Sequence, residues 1–180
     1  FLRLGGFDTT YKAALVEDIE LTYRIAKRYA VVFDPKAIVH HEFEDFWPIF
    51  RKYFWRSYFW SRIYRERKKF DPVATTGKEA VTTISAGGLV GLVILYLVLS
   101  IMYYVLGIKA EIYLLSKYLI LNTFYLILII HLIGVRKFLW FVYKEEGLIF
   151  AFYSFFTGIA LYLAILSGAA YSLLSNSRRN

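Results

Sequence analysis

The sequence predicts two unlike parts in one chain: an α/β remnant at the N-terminus, then an all-α membrane domain of three transmembrane helices. Three observations predict it. Ten of the fourteen acidic side chains lie within residues 1–72 (Asp8, Glu17, Asp18, Glu20, Asp34, Glu42, Glu44, Asp45, Glu66 and Asp71), whereas long stretches beyond Ile84 carry no charge. The apolar fraction of 58% over 180 residues exceeds what a soluble domain needs. Ahead of residue 45, a helical pattern followed by two short β-branched runs has the order of an α/β arrangement.

The membrane part is predicted from length and charge. Residues 84–106 carry no charge, and about 23 residues at ~1.5 Å rise exceed the ~30 Å of bilayer hydrocarbon. A short link at 107–111 leads to a second span at 113–135, whose one early charge, Lys117, is placed to reach the head groups. The third span covers about 148–174, with Gly158, Gly168, Ala169 and Ala170 as small packing surfaces. Few polar groups inside these runs, beyond Asn122 and His131, could line a path, and those two are expected to satisfy each other or the backbone. Lys68, Lys69 and Lys78 precede the first span, and Arg136, Lys137 and Lys144 separate the second from the third. The excess of cations on these loops places the polar N-terminal part on the cytoplasmic side.

Between the two parts, 46–72 is expected to form an interfacial aromatic and basic amphipathic helix. Residues 46–64 are aromatic at ten of nineteen positions, and Trp47, Phe50, Phe54 and Tyr58 recur at helical spacing among Arg51, Lys52, Arg56 and Arg62. Aromatic and basic interleaving also suits single-stranded nucleic acid. Adjacency to an apolar span favours membrane lipids as the partner and no nucleic acid. The net charge of +8 fits anionic head groups, and the absence of cysteine removes disulfides and thiolate metal sites.

Upstream, the pattern predicts a loop at Gly5-Gly6-Phe7-Asp8, a helix over about 18–28, a strand at 30–33 closed by Asp34-Pro35, and a second strand at 37–39 that delivers His40 and His41. Ligands of such sheets gather at strand ends.

Gly5-Gly6-Phe7-Asp8, then Glu17-Asp18-Ile19-Glu20-Leu21 with Tyr23-Arg24, then Asp34-Pro35-Lys36-Ala37-Ile38-Val39-His40-His41 resembles the second half of a family 2, GT-A fold glycosyltransferase. The resemblance covers roughly residues 1–70, with 1–45 as the acceptor-side half of the catalytic domain. It implies a membrane-anchored enzyme that inverts the anomeric centre. The donor would be a nucleotide-sugar and the acceptor a lipid-linked molecule or glycan, in cell-envelope polysaccharide or glycolipid synthesis.

By the same resemblance, Asp18 is the general base that takes the proton of the attacking hydroxyl, as a carboxylate within hydrogen-bond reach can. Glu17 is its weaker companion, an acceptor-binding partner or a charge that complements the helix dipole. His41, four residues after Ala37, matches a histidine that completes coordination of a divalent metal, Mn or Mg, on the donor diphosphate. Gly5, Gly6 and Asp8 match the loop that approaches a sugar. Each has an ordinary alternative: a helix cap for Asp18, polar surface for the histidines, a plain turn for the glycines.

Two departures qualify the match. The stretch Lys52-Tyr53-Phe54-Trp55-Arg56-Ser57 keeps an arginine, Arg56, from the Q-x-x-R-W substrate-binding signature of processive members but lacks its glutamine and tryptophan, which argues against a polymer-extruding synthase. The 180 residues do not include the nucleotide-binding half with its D-x-D motif, so the expectation is a fragment, inactive alone, of a longer transferase. A non-catalytic membrane anchor or assembly subunit is the alternative.

Overall fold

The computed structural model describes residues 1–9, 16–32, 34, 36, 38, 44–68 and 77–176. Among these residues, a 3-10 turn at Leu2–Leu4 is followed by four helices: α1 (Glu17–Ala26), α2 (Phe46–Arg67), α3 (Gly77–Leu106) and α4 (Ala110–Asn176). The chain divides into two compact units. One joins Phe1–Lys69 to Ser167–Asn180, and the other is Phe70–Leu166.

The expected α/β class is corrected: among the described residues there is no strand, and the fold is all-α. Val31 and Val32 are irregular, 55% and 84% exposed. Without a neighbouring strand, an extended segment cannot satisfy its amides and carbonyls within a sheet, whatever its β propensity. Much of the second expected strand, with Ala37, Val39, His40 and His41, lies outside the described residues.

The three expected spans are corrected to two long apolar helices, α3 of 30 residues and α4 of 67, the second of which joins two helical stretches across a non-helical Gly147. The basic link around 136–146 was expected to be a loop, but it is helical. It contains neither Gly nor Pro, and its Leu, Lys, Arg and Glu are good helix formers. Lys144 lies over the Trp140 ring one turn earlier, 5.3 Å from its centre. The break comes at Gly147, whose φ of 85° and ψ of −178° are non-helical and suit a residue without Cβ. His131 touches Phe155 and Tyr162 at 5.7 Å each, so the stretches on either side of Gly147 pack on each other.

Within the Phe70–Leu166 unit, α3 and α4 form a hairpin at Gly107, whose φ is 63°. Tyr103 and Tyr113 stack across it with centroids 4.4 Å apart. Further along, Gly134 permits close approach: a Cβ there would sit 2.3 Å from Thr82 Oγ1. His131, only 1% exposed, finds its partners on α3, with Nδ1 at 2.9 Å from Ser85 Oγ and 3.2 Å from the Thr82 carbonyl. Ser85 Oγ also donates to the Thr82 carbonyl at 2.8 Å. Asn122, the other polar residue expected to pair here, is exposed.

In the other unit α1 packs on α2. Val16, Phe59 and Ile63 are buried together, flanked by Tyr23, Tyr58 and Trp60. Tyr23 meets Trp60 edge to face at 6.3 Å. The end of α4 lies on α2: Tyr171 contacts Phe54 and Tyr58, and Arg65 donates to the Ser172 carbonyl at 3.0 Å and to its hydroxyl at 2.8 Å. Pro48 fits the first turn of α2, where a missing amide hydrogen costs nothing. Lys68, at φ 51°, closes the helix by donating its amide to the Tyr64 carbonyl at 2.7 Å.

Candidate functional site: the glycine loop on helix α1

Local chemistry builds α1. Glu17, Asp18 and Glu20 put three carboxylates in the first turn, where the unpaired amides concentrate positive potential. Val16, rather than Asp18, holds the N-cap position and gives no side-chain cap. The carboxylates serve the start of the helix instead: Glu17 Oε2 accepts from the Val16 amide at 3.0 Å, and Asp18 Oδ1 from the Ile19 amide at 2.7 Å. Thr22 Oγ1 donates to the Asp18 carbonyl at 2.7 Å.

The Arg24 side chain fastens the glycine loop to this helix. Arg24 Nε donates to both carboxylate oxygens of Glu20, at 2.7 and 2.9 Å. Its Nη1 donates to the Leu4 carbonyl, and its Nη2 donates to the Gly6 carbonyl at 2.5 Å. The planar guanidinium thus serves a carboxylate on one edge and two carbonyls on the other, a fork that an ammonium cannot reproduce. The turn that presents those carbonyls needs left-handed backbone at Gly5 (φ 84°) and Gly6 (φ 64°). Phe1 packs edge to face on Phe7 at 5.2 Å and holds the flank of the loop.

The structure therefore brings two of the predicted motifs together. Gly5 and Gly6 are joined to α1, the helix that carries Glu17 and Asp18. Gly6 is buried and Asp8 half-buried, whereas Asp18 is exposed. Arg56 is exposed on α2. His41, the expected metal ligand, lies outside the described residues. Among the described residues no group of three or more His, Asp or Glu side chains is gathered that could hold an ion, so no chemical step is derived through a metal.

Two structural arginines carry no site expectation in the sequence. Arg24 had a visible signal, since Glu20 and Arg24 stand four residues apart on one helical face. Arg65 had none, because Ser172 is 107 residues away along the chain.

Among the described residues, two helices are long and apolar enough to cross a membrane. In their most apolar stretches only 6% of α3 and 17% of α4 is buried within the protein. The core helix of a soluble domain would be covered, and these surfaces face outward. Compared with known families, characterised proteins and solved structures, the chain matches none.

Proposed function

We propose that this chain is the acceptor-side and membrane part of an inverting glycosyltransferase, which moves a sugar from a nucleotide-sugar to a lipid-linked or membrane-associated acceptor. The observation that carries the proposal is the attachment of the Gly5-Gly6 loop to the Glu17-Asp18 helix through Arg24. Motifs from separate parts of the sequence are held as one assembly. The exposed Asp18 carboxylate is open to an acceptor.

In this mechanism the acceptor hydroxyl attacks the anomeric carbon and its proton passes to Asp18. The bond from that carbon to the diphosphate oxygen breaks in line, and the nucleoside diphosphate leaves with the electron pair. Asp18 Oδ1 is engaged by the Ile19 amide, so Oδ2 is the oxygen assigned to the proton. A divalent ion on the donor diphosphate belongs to the proposal only through His41, by resemblance.

The outward-facing apolar surfaces of α3 and α4 support residence in the bilayer. Lys68, Lys69 and Lys78 just ahead of α3 favour the cytoplasmic side for the polar N-terminal part. Exposed Trp47, Trp55, Arg51, Lys52 and Arg56 on α2 suit the head-group layer.

The test is Asp18→Asn in the intact protein, assayed for transfer from a panel of nucleotide-sugars to membrane lipid extracts. Loss of transfer by about 100-fold or more, with unchanged membrane insertion, is expected if the carboxylate is the base. Unchanged turnover would remove Asp18 from that role. Absence of transfer by the wild-type protein across the panel would favour the anchor or assembly-subunit alternative.

A further inference from the structure

We infer that Arg24 is the positioning residue of the acceptor site: it sets the shape of the Gly5–Asp8 loop, and with it the affinity for the sugar acceptor, without touching substrate. The inference rests on the proposed transferase activity. Its structural half, the loop tie, stands on contacts alone.

The loop is costly to order. Gly5 and Gly6 both adopt left-handed backbone, and glycine loses more conformational freedom on ordering than any other residue. Three backbone bonds form its tight turn: the Leu4 amide donates to the Phe1 carbonyl at 3.1 Å, the Gly5 amide to the Leu2 carbonyl at 2.9 Å, and the Gly6 amide to the Phe1 carbonyl at 3.3 Å. Arg24 adds the attachment to α1, gripping the carbonyls of Leu4 and Gly6 on either side of Gly5. A Cβ on Gly5 would lie 3.5 Å from Arg24 Nη1, so the guanidinium closely follows the backbone.

Glu20 completes the device. By occupying Arg24 Nε with both oxygens, it fixes the plane of the guanidinium and aims Nη1 and Nη2 at the loop. Both side chains are about three-quarters buried, with 27% and 22% of their surface exposed, so the pair is shielded from competing water. Acceptor recognition therefore depends on a residue one helix turn or more from Glu17 and Asp18. Lysine cannot replace it, because one ammonium cannot serve a carboxylate bidentately while also reaching two carbonyls.

The experiment uses the intact protein and the variants Arg24→Lys and Glu20→Gln, with two readouts. The first is amide hydrogen exchange of residues 4–8: Arg24→Lys is expected to exchange at least tenfold faster than wild type there, with protection in α3 and α4 unchanged. The second is steady-state transfer. For Arg24→Lys the acceptor KM is expected to rise about tenfold, with donor KM and kcat within about threefold of wild type. Glu20→Gln retains the hydrogen-bonding shape and is expected to fall between the two. Unchanged exchange in the loop would overturn the tie itself. Faster exchange with an unchanged acceptor KM would overturn the positioning role while leaving the transferase proposal standing. Faster exchange in Arg24→Lys, with no sugar transfer by the wild-type protein, would remove the transferase proposal and the acceptor role with it, and leave the tie standing.

Discussion

Gly168→Ala is a sharp test of the packing between α2 and the end of α4. A Cβ at this position would sit 2.1 Å from the Phe54 carbonyl oxygen, 2.9 Å from its carbon and 3.2 Å from its Cα. Backbone on both sides cannot rotate away as a side chain could, so the helices must separate by about 1 Å to restore ordinary contact. That movement takes the Arg65 bonds to Ser172, now 3.0 and 2.8 Å, beyond hydrogen-bond reach, at about 1.5–3 kcal/mol for bonds from a charged donor. It also weakens the Phe54–Tyr171 and Tyr58–Tyr171 contacts, now 6.0 and 5.6 Å between centroids, by about 1 kcal/mol in total. Alanine returns about 1 kcal/mol of helix propensity, leaving a net loss of about 1.5–3 kcal/mol. For a chain of this size that is a fall in Tm of roughly 3–12 °C. Thermal unfolding in detergent measures it, and three of the four tryptophans, Trp47, Trp55 and Trp60, lie on α2 to report separation as a red-shifted emission. Gly158→Ala is the control in the same helix: nothing lies within 4 Å of its Cβ, so only the propensity gain remains. If Gly168→Ala raises Tm as Gly158→Ala is expected to, the close approach to Phe54 is wrong.

Two further substitutions test the other buried contacts. His131→Leu keeps most of the side-chain volume and loses the bonds to Ser85 and the Thr82 carbonyl, so a cost of about 1 kcal/mol is expected; His131→Ala also opens a cavity beside Phe155 and Tyr162 and is expected to cost about 2–4 kcal/mol. Unfolding titrations in mixed detergent micelles measure both, and equal losses for leucine and alanine would show that the hydrogen bonds, not the volume, govern the site. Arg65→Met is expected to cost about 1.5–3 kcal/mol by thermal unfolding and to add little in the Gly168→Ala background, because the two changes disrupt one contact; full additivity would separate them.

The apolar runs were legible because length and the absence of charge are properties of composition. The ends of the helices that carry them were not. The sequence placed the first span at 84, yet α3 starts at Gly77 and takes in Lys78 and Glu79, since charged side chains terminate a membrane run without terminating a helix. The same confusion of polarity with irregular structure turned 136–146 into an expected loop, when the break required a residue that tolerates positive φ, found at Gly147. The first expected strand failed for a different reason. A β-branched run such as 30–32 records side-chain preference, whereas a strand exists only where another backbone completes its hydrogen bonds, and no local pattern reports that partner.

The candidate site divides along the same line between local and distant contacts. Glu20 and Arg24 could be paired from their spacing, and the left-handed loop followed from two consecutive glycines. What no spacing revealed was that Arg24 has a second edge. A guanidinium that spent all its donors on Glu20 would be one more exposed ion pair, worth little. With Nη1 and Nη2 turned onto the Leu4 and Gly6 carbonyls, it converts a helical pair into the joint between two motifs separated by a stretch of chain. The aromatic stripe of α2 makes the same point: its period was visible, but Phe54 and Tyr58 meet Tyr171, a residue more than a hundred positions away, while Trp47 stays 68% exposed. Periodicity identifies a face, and only tertiary structure decides which part of that face is spent on the protein and which is left for a membrane or a substrate.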